Sequence, residues 1–94
     1  MFSNTMELIL YAKPGCHLCE GLEEKLRAID QLEITLEVRD ILTQPRWFEQ
    51  YQYEIPVLFW RIDGQEQPIP RPSPRLSVEK LTQLLQQQRE SPSK

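Results

Sequence analysis

Two cysteines, Cys16 and Cys19, are the residues of this sequence whose type and spacing most directly suggest chemistry. They are its only cysteines, and His17 and Leu18 separate them. Two thiols at this spacing can close a disulfide within the chain or exchange one with another molecule. The pair therefore predicts a dithiol site, whose reactivity depends on the elements that hold it.

The segments around the cysteines predict a strand, a turn and a helix. Residues 7–11 form a short apolar run typical of a buried strand, and Pro14-Gly15 follows as a turn. Helical spacing then predicts a helix from near Cys16 to about Asp30. At the N-terminus of this helix, beside Cys16, unpaired N–H groups and the helix dipole stabilise a thiolate. The apolar residues at that spacing are Leu18, Leu22, Leu26 and Ile29.

The two thiols are expected to have different roles. Cys16, at the helix start, points outward and serves as the nucleophile, because the thiolate is the reactive form of cysteine. Cys19 lies one turn into the helix, is more shielded, and attacks the mixed disulfide as the resolving thiol. The alternative is a pair of buried structural cysteines without redox chemistry.

Two basic residues, His17 and Lys13, are candidates for modulating the dithiol. A cationic His17 favours the Cys16 thiolate and makes the couple more oxidising, or it shuttles protons. Lys13 lies three residues before Cys16, where its charge can favour the thiolate or bind a substrate carboxylate. Each residue is also compatible with an ordinary solvated position.

The middle of the sequence predicts a second strand and a second helix. Apolar and polar residues alternate over residues 32–38, which indicates a strand with one polar face. Thr43 is expected to cap a helix that has Pro45 in its first turn. The apolar stripe of this helix is expected to belong to the core, and it consists of Trp47, Phe48 and Tyr51.

A hairpin follows. Residues 56–60 form the third predicted strand, and Asp63-Gly64 is a two-residue hairpin signal. Residues 65–69 then form a fourth, antiparallel strand, which the prolines Pro68 and Pro70 place at an edge of the sheet.

A stiff loop and a last helix end the predicted fold. Arg71 and Arg75 flank the prolines of the loop, either as solvated arginines or as ligands for an anionic substrate. Ser77 is expected to cap the helix. The core-facing residues of that helix are Val78, Leu81, Leu84 and Leu85.

The predicted order is β-α-β-α-β-β-α, which is an α/β fold with a four-stranded mixed sheet and helices on both faces. The first two strands are expected to be parallel because a helix connects them. We divide the 94 residues into an extension at 1–5, one domain at 6–88 and a flexible tail at 89–94.

Composition narrows the class of protein. A formal net charge of −3 without a basic run argues against a nucleic-acid partner. No apolar stretch reaches the roughly 20 residues of a membrane span, and the first residues are too short and polar a run for a signal peptide. We therefore expect a cytoplasmic monomer without a membrane partner, in which a C-x-x-C pair is catalytic, redox-sensing or metal-binding.

Three segments together resemble the glutaredoxin-like proteins of the thioredoxin-fold superfamily, from about Met6 to Gln88. They are Lys13-Pro14-Gly15-Cys16-His17-Leu18-Cys19, Ile55-Pro56-Val57 and Asp63-Gly64. The resemblance implies a thioredoxin-like fold, a cis proline at Pro56 and thiol–disulfide oxidoreductase activity. It also implies that the backbone of Ile55 and Pro56 lies beside the dithiol, where it can pair with an extended peptide or with glutathione.

Two departures from that family bear on the substrate. Glutaredoxins usually have Pro-Tyr where this chain has His17-Leu18, and their Gly-Gly pair is replaced by a glycine-free segment at residues 71–77. The partner is therefore a disulfide-bearing protein or glutathione, with glutathione left open as a co-substrate. No bound cofactor is expected, and the sequence does not identify the reductant.

Two other functions use the same residues. An iron–sulfur or metal-binding module would need more ligands than two thiolates and His17, supplied by a second protomer or by glutathione. Because the chain alone falls short of four ligands, we assign no metal site. A non-enzymatic adaptor would keep the fold for protein binding and would have inert cysteines.

Overall fold

The computed structural model describes residues 5–90 of the chain and confirms the predicted order of elements. The strands are β1 (Thr5–Ala12), β2 (Glu33–Asp40), β3 (Val57–Ile62) and β4 (Gln65–Ile69). The helices are α1 (His17–Ala28), α2 (Pro45–Tyr51) and α3 (Val78–Glu90), and a short 3-10 turn covers Ile41–Thr43.

The ends of the chain differ slightly from the predicted boundaries. Thr5 already belongs to β1, and α3 continues through residues 89 and 90 to its end at Glu90. The remainder of the predicted extension, residues 1–4, and of the predicted tail, residues 91–94, lies outside the described residues.

The four strands form one mixed sheet in the order β2-β1-β3-β4. β1 pairs with β2 in parallel, as predicted, and β3 pairs antiparallel with both β1 and β4. Asp63 and Gly64 both have positive φ, at 53° and 80°, which is the backbone of a tight two-residue hairpin turn. β4 lies at an edge and accommodates Pro68 there, as its sequence predicts.

One face of the sheet carries the main core, beneath α1 and α3. Leucines from both helices meet the alternate residues of β1 that point to this face, and all of these side chains are buried. They include Met6, Leu8, Leu10, Leu26, Leu81 and Leu85. Ser77 caps α3 as predicted, because its Oγ accepts a hydrogen bond from the Lys80 N–H at 3.1 Å.

α2 covers part of the opposite face. Its predicted apolar stripe packs there against Ile9, Tyr11 and Ile41 and is formed by Trp47, Phe48 and Tyr51. Helices therefore lie on both faces of the sheet, in agreement with the predicted fold class.

The predicted cap of α2 is wrong. Gln44 occupies the N-cap position without a side-chain bond, while Pro45 is the first helical residue. Thr43 instead ends the 3-10 turn and donates its hydroxyl to the Asp40 carbonyl at 2.7 Å. The Asp40 carboxylate starts this turn by accepting a hydrogen bond from the Leu42 N–H at 2.9 Å. The capped turn takes in Thr43, which is therefore not the cap of α2.

A group of ion pairs lies on the same face of the sheet as α2. Arg39 of β2 bonds Glu37 at 2.7 Å and reaches across the sheet to Glu66 of β4 at 3.1 Å. Arg61 of β3 lies 3.1 Å from Glu37 and 3.5 Å from Glu7 of β1. The five side chains form one network that joins all four strands.

Within residues 5–90, no helix has the length and apolar character that crossing a bilayer requires.

Candidate active site

Cys16 and Cys19 lie at the N-terminus of α1 and are joined by a disulfide. Cys16 occupies the N-cap position, and its Sγ accepts a hydrogen bond from the Cys19 N–H at 3.2 Å. Cys16 is partly exposed, whereas Cys19 is 2% exposed and belongs to the main core. Solvent therefore reaches part of Cys16 and has almost no access to Cys19.

A tight turn delivers Cys16 to this position. The Cys16 N–H donates to the Lys13 carbonyl at 3.3 Å, and Gly15 inside the turn has φ of +81°. Residues with a Cβ rarely adopt that conformation, so the turn requires glycine at this point. The helix then begins at once, because the Glu20 N–H donates to the Cys16 carbonyl at 3.0 Å.

His17 and Lys13 both lie near the dithiol but face different surroundings. The His17 side chain is 96% exposed, and its Nδ1 is 3.8 Å from Oε1 of Glu20. The His17 ring therefore lies in solvent, and its nearest charged partner is the Glu20 carboxylate. Lys13 is exposed on the other side, where it lines a cavity of about 240 Å³ that reaches Cys19.

The Ile55–Pro56 peptide bond is cis, as the resemblance implied. Pro56 is buried and lines a groove together with His17 and Leu18, the two residues between the cysteines. Ile55 packs against the cores on both faces of the sheet, and its N–H donates to the Tyr51 carbonyl at 3.1 Å. Of the residues predicted to bind substrate, Pro56 thus lies in the groove, whereas Lys13 lines the separate cavity.

The groove has a volume of about 370 Å³ and runs between α1 and the loop of residues 71–75, which we call the proline-rich loop. We call it the apolar groove. Its apolar walls include Leu18 and Leu22 from α1 and Pro56, Pro72 and Leu76 from the opposite side. The predicted apolar stripe of α1 thus has two environments, since Leu26 is buried in the main core whereas Leu18 and Leu22 line the groove.

Two cations, Lys25 and Arg71, line the apolar groove. Lys25 of α1 donates from Nζ to the Pro74 carbonyl at 2.7 Å. Arg71 donates from Nη2 to the Glu54 carbonyl, next to Ile55. Both loop arginines were candidates for binding an anionic substrate. Arg71 lines the groove, whereas Arg75 is exposed and does not line it.

Three or more His, Cys, Asp or Glu side chains in an arrangement suited to a metal ion are not found among residues 5–90. Cys16 and Cys19 therefore lack further ligands within the described part of the chain.

Comparison with known proteins agrees with this description. The sequence model of the family described as Glutaredoxin-like domain (DUF836) matches residues 7–86. No curated protein sequence matches the chain. Among solved structures, thioredoxin 1 from the thermophilic eubacterium Thermosipho africanus TCF52B superposes with a TM-score of 0.58 at 18% sequence identity. That superposition covers 95% of this chain and 100% of the thioredoxin, and it shows the fold alone. The chain therefore belongs to the glutaredoxin-like (DUF836) family and has a thioredoxin-like α/β fold.

Proposed function

We propose that this protein is a thiol–disulfide oxidoreductase in which Cys16 is the nucleophile and Cys19 the resolving thiol. The observation that carries the proposal is the unequal burial of two bonded cysteines at one helix N-terminus. A substrate sulfur can approach Cys16 from solvent, while Cys19 is held within bonding distance of Cys16 and is shielded from competing reactions. The family and the fold support a redox-type function.

The reaction consists of two exchanges. The Cys16 thiolate attacks one sulfur of the substrate disulfide, whose bond breaks, and the first substrate thiolate leaves and takes up a proton. Cys19, after losing its proton, attacks Cys16 Sγ and releases the second substrate thiol. The chain then holds the Cys16–Cys19 disulfide, and two electrons and two protons have passed to the substrate. A thiol or dithiol donor reverses these steps on the chain.

The helix N-terminus favours this sequence of steps. In the disulfide form the Cys19 N–H already points at Cys16 Sγ at 3.2 Å. The same N–H and the helix dipole stabilise a negative charge on that sulfur when the pair is reduced. The exposed Lys13 adds positive charge on its side of the dithiol, and solvent screens that charge. We place the activity in the cytoplasm, where dithiols are kept reduced.

The test compares the reduced wild-type chain with Cys16→Ser and Cys19→Ser in exchange with a small symmetrical disulfide such as hydroxyethyl disulfide. Wild type is expected to release two small thiols per chain and to become the intramolecular disulfide. Cys19→Ser is expected to stop at a mixed disulfide on Cys16, visible by mass spectrometry, and Cys16→Ser to lose rapid exchange. Circular dichroism checks that both variants are folded.

The opposite results separate the alternatives. A Cys16→Ser chain that reacts at the wild-type rate would falsify the assignment of the nucleophile. Slow alkylation of both cysteines in the reduced, folded wild type at neutral pH would favour the adaptor role. A visible absorption band after anaerobic reconstitution with iron and sulfide would favour the iron–sulfur module.

A further inference from the structure

The apolar groove is lined by the two residues that separate the cysteines, and it leaves hydrophobic surface uncovered. Leu18, between the two cysteines, is 53% exposed, and Leu22 is partly exposed one turn later. Pro56 and Pro72 form the opposite wall and are buried. Covering this surface with an apolar group stabilises a complex by removing it from water.

The charged side chains that line the apolar groove are basic. Lys25 and Arg71 bond the neutral carbonyls of Pro74 and Glu54, and among the described residues neither cation forms an ion pair. No described residue that lines the groove is acidic. An ammonium has three N–H donors and a guanidinium five, so each cation keeps donors for a further partner. The groove therefore combines an apolar surface with positive charge that no carboxylate neutralises.

The cavity on the other side of the dithiol has the opposite character. Besides Lys13 and Cys19, it is lined by the carboxylates of Glu20, Glu23 and Asp40. A substrate with an acidic group next to its disulfide is repelled from that side and attracted to the apolar groove. The charges thus select one of the two cavities for such a substrate.

Building on the proposed oxidoreductase function, we propose that the apolar groove recognises a protein disulfide in which one half-cystine is followed by an apolar residue and then by an acidic residue. The apolar side chain covers Leu18 and Leu22, and the carboxylate meets Lys25 or Arg71. The cysteine sulfur is thereby presented to Cys16. Glutathione has carboxylates but no apolar side chain, so it leaves the leucines in water and is the poorer substrate.

The experiment measures single-turnover oxidation of the pre-reduced chain by symmetrical disulfides of short peptides with one cysteine each. One peptide has Cys-Leu-Glu, and the others replace Leu by Ser, Glu by Lys, or both. Oxidised glutathione is a further substrate. We expect the Cys-Leu-Glu disulfide to react roughly 10-fold faster than the doubly changed peptide, as partial burial of one leucine and one ion pair allow. Oxidised glutathione is also expected to react more slowly than the Cys-Leu-Glu disulfide.

Two pairs of variants locate the preference. Leu18→Ser is compared with Leu42→Ser, since Leu42 is a similarly exposed leucine, at 57%, that does not line the groove. Lys25→Gln is compared with Lys80→Gln on α3. For each chain the readout is the ratio of two peptide rates, so a change in intrinsic thiol reactivity cancels. Leu18→Ser is expected to make the rates with the Leu peptide and the Ser peptide nearly equal. Lys25→Gln is expected to reduce the ratio of the rate with the Glu peptide to the rate with the Lys peptide, while the control variants keep both ratios.

The possible results separate the substrate preference from the oxidoreductase function. Equal rates for all peptides, faster reaction with glutathione, or ratios that survive both Leu18→Ser and Lys25→Gln would overturn the inference and leave the oxidoreductase function standing. Absence of exchange with every disulfide, including hydroxyethyl disulfide, would instead overturn the proposed function itself.

Discussion

The backbone N–H of Cys19 donates to Sγ of Cys16 across 3.2 Å, so one cysteine of the pair caps the helix that contains the other. The nucleophile proposed here therefore also satisfies an otherwise unpaired N–H group of α1. A negative charge on Cys16 strengthens that bond, because hydrogen bonds to ionised acceptors are the stronger ones. The capping geometry thus links the structure of the helix start to thiol reactivity.

Unequal alkylation of the two thiols is the first prediction. In the reduced, folded protein we expect iodoacetamide to label Cys16 faster than Cys19 by about tenfold or more, because exposure and thiolate character both favour Cys16. Mass mapping of labelled peptides over time gives the two rates. In 8 M urea the rates should converge, which serves as the control. Faster labelling of Cys19 in the folded protein would reverse the assigned roles.

Two glycines provide a matched test of the turn that delivers Cys16. Gly15 has φ of +81°, whereas Gly21 lies within α1 and a Cβ there meets no atom within 4 Å. Gly15→Ala is expected to lower the free energy of unfolding by about 1–2 kcal/mol, and Gly21→Ala to raise it by up to about 1 kcal/mol. Urea denaturation measures both. The turn is not constrained as described if the two variants change stability in the same direction.

Arg39 is expected to stabilise the side of the sheet that α2 leaves open. Its side chain is 16% exposed, bonds Glu37 and Glu66, and donates to Tyr11 Oη at 2.7 Å. Arg39→Met keeps much of the packing over Tyr11 but removes the hydrogen bonds from Arg39, so that Arg61 alone remains beside Glu37 and Glu66. We expect a loss of about 2 kcal/mol in the free energy of unfolding.

Arg46 provides the control for this substitution, because it is an exposed arginine on α2. Arg46→Met is expected to change the free energy of unfolding by less than about 0.5 kcal/mol. Thermal and urea unfolding of both variants give the comparison. Equal effects of the two substitutions would mean that the ion-pair network contributes nothing specific.

The same network predicts how stability depends on pH. The hydrogen bond from Arg39 lowers the pKa of the Glu37 carboxyl below its ordinary value of 4.5; partial burial opposes this shift, and a hydrogen bond from Arg61 adds to it. Because the pKa in the folded state is the lower one, the unfolded chain binds more protons in acid. The stabilisation by Glu37 is therefore fully present above pH 4.5 and is lost as the pH falls through the folded-state pKa.

Glu37→Gln tests this dependence. Wild type is expected to be more stable than the variant at pH 7, and the difference should shrink towards pH 3. Glu49→Gln, at an exposed position on α2, is the control and should show little change in its difference from wild type. Urea unfolding at a series of pH values supplies the data. A difference that stays constant from pH 7 to pH 3 contradicts the assignment to Glu37.

Local patterns predicted most of the fold. The hairpin at Asp63-Gly64 and the cap at Ser77 depend on backbone preferences and hydrogen bonds within a few residues, and both are found as predicted. Thr43 failed as a cap because Asp40, three residues earlier, starts a 3-10 turn that ends at Thr43. Two plausible caps so close together compete, and their residue types do not decide between them.

The sequence by itself determined the dithiol and its place at a helix N-terminus, because strand, turn and helix signals adjoin Cys16 along the chain. Only the tertiary structure decided which groups surround it. Lys13, three residues from Cys16, lines a different cavity from Pro56, while Lys25 bonds the Pro74 carbonyl 49 positions later in the chain. Such contacts depend on how α1 and the proline-rich loop pack over the sheet, and no local spacing records that packing.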